Sequence, residues 1–423
     1  MYFLLTTLGC KVNQYESSRL HAEMERLGYL PASDTETADI FILNSCTVTE
    51  NSDKKARQLI NSVKRKNPRA IIVLTGCFPQ AFPESAKNLG ADIICGTAQR
   101  KEIPLLIDKF IKTRDSIEKI MPCPDAYEEF GTFSPNSHKT RMFIKIQDGC
   151  DNNCAYCVIP HARGNPRSRS LDSVKEEALA AAEAGYKEIV LTGINLTKYG
   201  GSDFDLCDAV SAVSEYAERI RLSSVEPDML TDRILENLSR EKKLCPHFHI
   251  SLQSGSDSVL RRMGRHYTAG EYYEKARKIR LFFGDGTALT TDMITGFPGE
   301  TEEEFSQSLD FARKVNFSKI HVFPFSARGK TPAASMENQI PESVRRERRS
   351  RLIQVAGEMR GNFFDAQVGK TLSVLVEKRT SSNEVFGHAD NYTPVKVLSR
   401  TAKQNDILRV IIKEAGEEFC TGI

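Results

Sequence analysis

The chain has 423 residues, of which 40% are hydrophobic and 27% are charged, and this balance excludes a disordered, collagen-like or fibrous protein. Lys and Arg number 58 against 56 Asp and Glu, so the net charge is +2. A uniformly basic surface is therefore excluded, and any contact with nucleic acid must come from local patches. The length predicts about two or three domains.

The apolar runs and the cysteine content bear on the compartment. Runs such as 71–74 are far shorter than the roughly 20 residues of a membrane-spanning helix, so no membrane partner is expected. Residues 1–16 reach polar residues too early for a signal peptide. We therefore expect a cytoplasmic protein, in which thiols stay reduced. Its 11 cysteines, an odd number, favour metal ligation, catalysis or burial over a disulfide framework.

Residues 1–110 alternate between apolar segments of strand length and helical patterns. The first helical pattern carries Leu20, Met24 and Leu27 at three- to four-residue spacing and stops at Gly28. Strands are predicted at 2–7, 39–44, 70–76 and 92–95. This alternation is typical of a parallel sheet with helices on its faces, so we predict an N-terminal parallel α/β domain.

A second alternating series follows a predicted linker. Residues 111–138 lack periodicity and carry three prolines with clusters of Ser, Asn and Gly, as linkers do. Helical patterns such as 171–185 then alternate with strands, and an Arg-rich helix over 341–360 ends the series. The predicted strands are 141–146, 188–193, 221–225, 248–252, 288–294 and 319–325. About six β/α units predict an open or closed α/β barrel over 139–367.

The last stretch, 368–423, has a different pattern. Short alternating segments begin at Thr371, Thr393 and Asp406. They follow one another too closely for βαβ units, which need a long crossover connection. We therefore predict a small antiparallel β-barrel for this part of the chain.

Three cysteines, the loop trio, stand within eight residues on a loop just after a predicted strand: Cys150, Cys154 and Cys157. Three thiolates can hold three irons of a 4Fe-4S cube and leave the fourth iron open. A zinc site usually has four ligands and would need a distant residue such as His161. Three buried thiols that lie close by coincidence are the remaining interpretation, which the polar loop disfavours.

Three further cysteines, the strand-end trio, each stand just past the C-terminal end of a predicted strand: Cys10, Cys46 and Cys77. Ligand sites in open parallel α/β sheets lie outside those ends, so the three thiols can meet in space. Lone cysteines are also among the residues most often buried, and Cys95 ends a strand in the same way. Position alone therefore leaves a cluster and a structural role open.

The contexts of these cysteines carry a resemblance to a known family. A CxxxCxxC loop that opens an α/β barrel resembles the radical S-adenosylmethionine (SAM) superfamily. The whole set of motifs is similar to its methylthiotransferase family, and the likeness covers essentially the whole chain. The motifs are LGCKVNQYES (8–17), NSCTVTENSDKKARQ (44–58), TGC (75–77) and IKIQDGCDNNCAYCVIPHARGNPRSRS (144–170).

The resemblance implies two 4Fe-4S clusters and SAM as cofactors. It makes the loop trio the ligands of the cluster whose open iron binds SAM. It makes the strand-end trio the ligands of an auxiliary cluster that delivers sulfur. It also implies an N-terminal methylthiotransferase domain, a central radical SAM partial barrel and a C-terminal barrel similar to TRAM, a small RNA-binding domain.

Within the family, the segments that begin at Leu8 and Pro160 are most similar to the branch acting on N6-threonylcarbamoyladenosine in tRNA. This implies an enzyme that adds a methylthio group at C2 of that nucleoside in the anticodon loop. Its partners would be tRNA, an electron donor such as flavodoxin or ferredoxin, and a sulfur source. Sister alternatives are isopentenyladenosine in tRNA and a ribosomal-protein aspartate as acceptors. A non-catalytic zinc and RNA-binding protein is the alternative of a different class.

Residues at other predicted strand ends fit a SAM pocket. The glycine-bearing second-strand motif of the superfamily corresponds to Gly193. Hydroxyl and carboxylate groups suited to ribose come from Ser223, Ser224 and Glu226, and two more strands end with Gln253 and Asp292. His321, inside an apolar strand, is equally compatible with a hydrogen-bonded core histidine.

Two basic regions are candidates for RNA contacts. Arg163, Arg167 and Arg169 follow the loop trio with no acid between them, which favours phosphate binding. The arginines of 341–360 are better explained as a solvated helix face. In the C-terminal segment, the resemblance to TRAM favours stacking or phosphate contacts by Phe386, Tyr392, Lys378, Arg379 and Lys396. The two aromatic residues are equally compatible with a barrel core.

Overall fold

The computed structural model describes residues 1–131 and 140–423, which divide into two compact units. Of the described residues, unit 1 comprises 1–131, 145–169 and 326–335. Unit 2 comprises 140–144, 170–325 and 336–423. The segment that carries the loop trio therefore packs with the N-terminal residues.

Unit 1 is built on a six-stranded sheet in which all neighbouring strands pair in parallel. Its strands, in the order β2-β1-β3-β4-β5-β6, are β1 (Tyr2–Thr7), β2 (Leu30–Pro31), β3 (Ile40–Ser45), β4 (Ile71–Gly76), β5 (Ile93–Cys95) and β6 (Ile117–Lys119). Its helices are α1 (Lys11–Arg26), α2 (Glu50–Lys66), α3 (Cys77–Ala81), α4 (Pro83–Lys87) and α5 (Ile103–Thr113). The predicted parallel α/β architecture is confirmed, and the expected strands are present.

The middle of this sheet is buried on both faces. Ile40 and Ile42 pack in one hydrophobic cluster, and Phe41 and Leu43 pack in the cluster on the opposite face. Successive side chains of a strand point to opposite faces, so both layers of helices contact β3. This is why β3 has a continuous apolar run instead of an alternating one.

The edge of the sheet extends into the segment predicted as a linker. Helix α5 continues to Thr113, and β6 pairs with β5 through Ile93 and Ile117, so residues within 111–119 belong to the sheet unit. Ile117 packs against the core cluster of that face, and this burial holds a strand too short to produce a period. Residues 132–139 lie outside the described part. The domain boundaries at 110 and 139 therefore stay predictions.

The segment after residue 139 forms a short ribbon around the loop trio. Its elements are β7 (Arg141–Lys145), β8 (Gln147–Asp148), α6 (Ile159–Arg163) and β9 (Arg167–Ser168). Strands β8 and β9 pair antiparallel, with Asp148 opposite Arg167. The two ends of the cysteine loop are therefore tied together within unit 1.

Unit 2 contains the second alternating series in two small sheets, β11-β10-β7 and β12-β13-β14-β15. The additional strands are β10 (Glu188–Thr192), β11 (Arg219–Leu222), β12 (Ser224–Val225), β13 (His247–Ile250), β14 (Ala288–Thr295) and β15 (Lys319–Pro324). Pairs within β10–β11 and along β12–β15 are parallel. The predicted third strand is interrupted at Ser223, so the strands form two sheets instead of one closed barrel.

The helices that alternate with these strands complete the α/β pattern. They are α7 (Leu171–Glu183), α8 (Leu206–Ser214), α9 (Asp232–Ser239), α10 (Asp257–Arg262), α11 (Ala269–Phe283), α12 (Glu302–Val315), α13 (Pro332–Ser335, in unit 1) and α14 (Glu342–Asp365). Across the described residues, no helix combines the length and apolar character that crossing a bilayer requires.

The C-terminal part of unit 2 is a closed five-stranded barrel, as predicted. Its strands, in the order β16-β17-β18-β20-β19, are β16 (Thr371–Ser381), β17 (Glu384–Ala389), β18 (Pro394–Leu398), β19 (Ile407–Ala415) and β20 (Cys420–Gly422). All pairs are antiparallel except β18 with β20. Alternate valines, such as Val374, Val376 and Val385, fill the interior together with Cys420.

The barrel is joined to the rest of unit 2 by buried arginines. The carboxylate of Glu188, at the start of β10, pairs with Arg141, Arg219 and Arg221. Arg221 also donates to the main-chain carbonyl of Asp390 at 2.8 Å. Burial alone would raise the pKa of Glu188, but the three guanidinium groups hold it well below its usual range. The barrel and the strands therefore share a charged, buried junction.

Candidate functional site

The strand-end trio converges at the carboxyl end of the sheet in unit 1. Its cysteines follow β1, β3 and β4, which are neighbours in the sheet. The Sγ atoms of Cys10 and Cys77 lie 4.0 and 3.9 Å from Oδ1 of Asn13. Burial raises the pKa of Cys46 to about 12, and the neighbouring thiols of Cys77 and Cys10 add to this rise. Three thiols distant in sequence therefore share one small region.

Two glycines make this convergence possible. A Cβ atom on Gly9 would lie 2.8 Å from Cβ of Cys46, and one on Gly76 would lie 2.4 Å from the carbonyl oxygen of Ser45. Both glycines also have positive φ, 110° and 103°, where other residues are strained. A side chain at either position would push the cysteine-bearing loops apart.

Asn13, in the first turn of α1, links the loops around the trio. Its Nδ2 donates to the carbonyl oxygens of Leu8 and Ser45 at 2.8 and 3.1 Å. Its Oδ1 accepts from Nη2 of Arg163 at 2.6 Å. Asn13 is fully buried, so each of these bonds forms away from water. The residue connects the strand-end trio to the segment that carries the loop trio.

Arg163 belongs to a buried network of charges within unit 1. Its Nη1 lies 2.9 Å from carboxylate oxygens of both Glu16 and Asp148, and Lys145 pairs with the same two acids at 2.8 and 2.6 Å. Burial alone would raise the pKa of Glu16, but the charges of Arg100, Arg163 and Lys145 lower it to about 2. The acids therefore stay ionised and compensate the buried cations.

The structure buries Arg163, Arg167 and Arg169, and their predicted contacts with RNA stay a prediction. Arg167 donates to the carbonyl oxygen of Arg163 at 2.7 Å, and Arg169 donates to Glu129 at 2.8 Å. The compensating acid Glu16 is far away in sequence. A basic run without local acids therefore resembles an exposed patch until the fold is known.

The loop trio occupies a compact turn between β8 and α6. The amide of Cys150 donates to the carbonyl oxygen of Gly164 at 3.0 Å, and that of Cys157 donates to Cys154 at 2.9 Å. Cys154 is buried, whereas Cys150 and Cys157 are half-buried. The backbone thus fixes the ends of the loop and keeps the three thiols within one short segment.

The residues after the loop trio pack against the helix that begins at the strand-end trio. Val158 and Ala162 form a small hydrophobic cluster with Cys77 and Ala81 of α3. His161, the proposed fourth ligand of a zinc site, instead has Nε2 3.0 Å from the carbonyl oxygen of Lys330. This hydrogen bond accounts for His161 without a metal.

The donor sets fit iron–sulfur clusters. Each trio offers three thiols, the usual ligand type of such clusters, with a fourth position not supplied by the trio. Thiolates on one zinc ion lie about 3.8 Å apart, because Zn–S bonds are about 2.3 Å long. Within residues 1–131 and 140–423, the strand-end trio is not among the groups whose donors all lie within 4.8 Å of one another. Its spacing therefore suits a cluster better than a single zinc ion.

The residues predicted for a SAM pocket all lie in unit 2, and all of them except Asp292, which lies inside β14, are at or near strand ends. Gly193 follows β10, and the oxygen Oγ of Ser223 is buried without a hydrogen-bond partner. An unsatisfied buried hydroxyl is costly unless a ligand completes it, so Ser223 fits a binding role. Ser224 lies beside His249 in the parallel register of β12 and β13.

Two other predicted SAM residues already have protein partners. Glu226 pairs with Arg265, and burial, which this pairing only partly offsets, raises the pKa of Glu226. Gln253 has a positive φ of 70°, and its main-chain N–H donates to the carbonyl oxygen of Asp292 at 2.9 Å. Their roles toward SAM stay predictions.

Tyr392, for which base stacking and a place in the barrel core were both left open, has aromatic and cationic neighbours within unit 2. Its ring stacks against those of His388 and His247, with centroids 4.6 and 4.9 Å away, and Arg221 lies 4.8 Å from its centroid. The ring is therefore occupied inside unit 2. Its positive φ of 65° fits the tight turn between β17 and β18.

The basic residues predicted to bind RNA in the barrel divide into two kinds. Arg379 donates to several main-chain carbonyls, including that of Ser399 at 3.1 Å, and so holds two loops together. Lys396 is half-buried and lies 3.5 Å from Glu384. Lys378 is exposed, with its ammonium 5.5 Å from the ring centroid of half-buried Phe386. Lys378 is the member of this set best placed to meet a phosphate.

Residues 144–312 match a family model described as the Radical SAM superfamily, and residues 2–96 match the Uncharacterized protein family UPF0004. The threonylcarbamoyladenosine tRNA methylthiotransferase MtaB of Bacillus subtilis (strain 168) is 39% identical to this chain, over 98% of this chain and 94% of that protein. The tRNA-2-methylthio-N(6)-dimethylallyladenosine synthase of Clostridium botulinum (strain Loch Maree / Type A3) is 35% identical, over 99% and 96%.

A solved structure shares the fold. The radical S-adenosylmethionine methyltransferase TsrM from Kitasatospora setae has a TM-score of 0.60 to this chain at 15% sequence identity. The match covers 79% of this chain and 75% of that chain. At this level of identity the likeness concerns the arrangement of the secondary structure.

Proposed function

The chain belongs to the radical SAM methylthiotransferase family, and from this membership we propose that it adds a methylthio group at C2 of N6-threonylcarbamoyladenosine in the anticodon loop of tRNA. The observation that carries the proposal is the presence of two separate cysteine trios in one compact unit. One lies in a CxxxCxxC loop, and the other is assembled at three neighbouring strand ends.

Two 4Fe-4S clusters and SAM are the cofactors of this activity. We assign one cluster to the loop trio, where the open iron receives SAM, and the other to the strand-end trio. When bound, these groups supply the electron, the sulfur and the methyl group of a radical reaction at C2. Contacts with SAM are proposed for Gly193, Ser223, Ser224, Glu226 and Gln253.

The protein's own task at the strand-end trio is to hold three thiols as thiolates, two of them buried (Cys46 and Cys77) and one exposed (Cys10). Burial raises the pKa of Cys77, and the positive charge of Arg163 opposes that rise. Iron requires the thiolate form, so the buried cation favours ligation. Asn13 bonds both cysteine-bearing loops and Arg163, and therefore positions the cation beside the trio.

Transfer RNA is the acceptor, and the exposed Lys378 of the barrel is assigned a phosphate contact. An electron donor such as flavodoxin or ferredoxin and a separate sulfur source complete the set of partners. We infer that the protein works in the cytoplasm, because all 11 of its cysteines are free thiols and such thiols persist in a reducing compartment.

Mass spectrometry of tRNA nucleosides from cells with and without the protein tests the substrate. We expect 2-methylthio-N6-threonylcarbamoyladenosine to disappear from the deleted strain and its unmethylthiolated precursor to accumulate. If the methylthio form of isopentenyladenosine disappeared instead, the protein would belong to the sister branch that acts on that nucleoside, which the 35% identical relative represents. Unchanged tRNA nucleosides would remove tRNA as the acceptor.

Anaerobic reconstitution with iron and sulfide tests the alternative of a zinc and RNA-binding protein. Two cubane clusters predict about eight irons and about eight sulfides per chain. A zinc protein would take up no sulfide. The matched control is a variant with all six trio cysteines changed to Ala, which should bind neither cluster.

A further inference from the structure

A group of three ligand-type side chains lies in unit 2, away from any cysteine of the two trios in sequence. His249 is on β13, Asp292 on β14 and His321 on β15, which are neighbouring strands. One ligand atom from each residue lies within 4.8 Å of the other two. Asp292 and His321 are direct partners in the parallel register, so their side chains leave the same face of the sheet.

The distances match what a metal ion requires. Nε2 of His249 is 3.4 Å from Oδ2 of Asp292. Two donors that bind a tetrahedral ion at about 2.1 Å lie about 3.4 Å from each other, so this pair is already at the required separation. The third ligand, His321, is exposed and therefore has room for the small movement that would complete the site.

Hydrogen bonding also prepares His249 for this role. Its Nδ1 lies 3.0 Å from Oγ1 of Thr290, and the same hydroxyl is 3.4 Å from Nε2 of His247. The hydroxyl can accept a hydrogen bond from Nδ1–H of His249 while it donates one to Nε2 of His247. This arrangement places the lone pair of His249 on Nε2, the atom that faces Asp292. Such a partner on the second ring nitrogen is the usual companion of a metal-bound histidine.

We propose that His249, Asp292 and His321 form a binding site for a divalent transition-metal ion such as Zn²⁺. Two neutral imidazoles and one carboxylate are a donor set that such ions take, and three protein ligands leave one position open for an oxygen ligand. A simple ion pair between His249 and Asp292 would not need His321. The site thus assigns Asp292 to a metal, a role different from the SAM contact inferred from sequence.

Titration with Zn²⁺ tests the site. Cluster-loaded protein, kept anaerobic, is titrated by calorimetry while the absorbance of the clusters is followed. We expect a single zinc ion per chain with no change in cluster absorbance. H321A should weaken zinc binding at least about tenfold, because one of three ligands is lost. H266A is the matched control, since His266 is an exposed histidine of the same unit and should leave binding unchanged.

A second variant separates ligation from general disturbance. T290V keeps all three ligands but removes the hydroxyl partner of His249, and should weaken zinc binding about 10–100-fold. No zinc uptake by the wild type would overturn the proposal. Equal binding by H321A and H266A would also overturn it, as would zinc uptake that occurs only with loss of cluster absorbance. Each of these readouts is independent of methylthiolation.

Discussion

The strand-end trio and the loop trio place equal numbers of thiols in unit 1 by different routes. The loop trio lies within one short segment whose ends are tied by β8 and β9. The strand-end trio comes from three strands, and its geometry depends on the parallel register of the sheet and on Gly9 and Gly76. A local motif can therefore be recognised from spacing, whereas the other site exists only in the folded sheet.

The largest effect is expected when the loop trio is removed. Changing Cys150, Cys154 and Cys157 to Ala together should abolish reductive cleavage of SAM, because these residues are the proposed ligands of the cluster that binds SAM. About four irons per chain should remain, on the strand-end trio. Chromatographic measurement of 5′-deoxyadenosine gives the rate. C207A, a cysteine change outside both trios, should leave the rate of 5′-deoxyadenosine formation unchanged. Continued cleavage of SAM by the triple variant would overturn the assignment of the loop trio.

Removal of the strand-end trio should give the complementary result. With Cys10, Cys46 and Cys77 changed to Ala, SAM cleavage should continue while no methylthio product forms, because the sulfur-delivering cluster is missing. Product and 5′-deoxyadenosine are measured in the same reaction with a modified anticodon stem-loop. If the methylthio nucleoside still formed, these three cysteines would be structural thiols and the sulfur would have another origin.

The buried network that joins the two trios gives the next effect, on stability. E16Q leaves Arg163 and its neighbouring cations with one acid fewer, which should cost about 3–5 kcal/mol and lower the midpoint of thermal unfolding by several degrees. E25Q, on the exposed side of the same helix, should change stability by less than about 0.5 kcal/mol. Equal midpoints for the two variants would contradict the role of the network.

The carboxylate of Glu16 also predicts how the stability of the protein depends on pH. Its pKa is lowered from 4.5 to about 2 in the folded protein, so its stabilising contribution is complete above pH 4.5 and is lost as the pH falls toward 2. The stability difference between wild type and E16Q should therefore be constant from pH 7 to 5 and should narrow below 4.5. A stability difference that widened on acidification would mean that folding raises the pKa of Glu16 instead of lowering it.

The smallest effect is expected at the barrel surface. K378E should weaken tRNA binding several-fold and lower the slope of log affinity against log salt by about 1, because one phosphate contact is lost. K109E makes the same charge change on the exposed face of α5 and should leave both quantities unchanged. A point change is preferable to deletion of the barrel. Deletion would leave Arg221, which donates to the main chain of the barrel and pairs with Glu188, without its partner in the barrel.

Sequence reasoning predicted the elements that repeat and the residues that stand in spaced motifs. Strands β1, β3, β4 and β5 of unit 1, the antiparallel barrel and the loop trio belong to this class, whereas the strand-end trio was assigned from the resemblance to the family. It missed the two-residue strand β2, and it missed β6, which is held by packing of Ile117 and has no period of its own. It also missed Asn13 and Glu16, although both lie in the first cysteine motif, because their partners come from residues after 140.

Some local patterns in the sequence have distant partners in the fold. Arg163 lacks nearby acids in sequence, yet the fold places Glu16 and Asp148 at 2.9 Å from its guanidinium. Tyr392 carries an aromatic ring of the kind that stacks on bases, but this ring packs against His388. In both cases long-range contacts decide which side chains are buried, and no local sequence pattern reports those contacts.

The central claim is that one chain with two clusters inserts sulfur and a methyl group at C2 of a tRNA adenosine. Reconstituted protein is incubated anaerobically with SAM, a reductant and an anticodon stem-loop that carries N6-threonylcarbamoyladenosine, and the digested nucleosides are analysed by mass spectrometry. We predict the 2-methylthio form of that nucleoside, and no methylthio product from the same stem-loop with unmodified adenosine. Protein with both clusters present that cleaves SAM yet leaves the modified nucleoside unchanged would contradict the account.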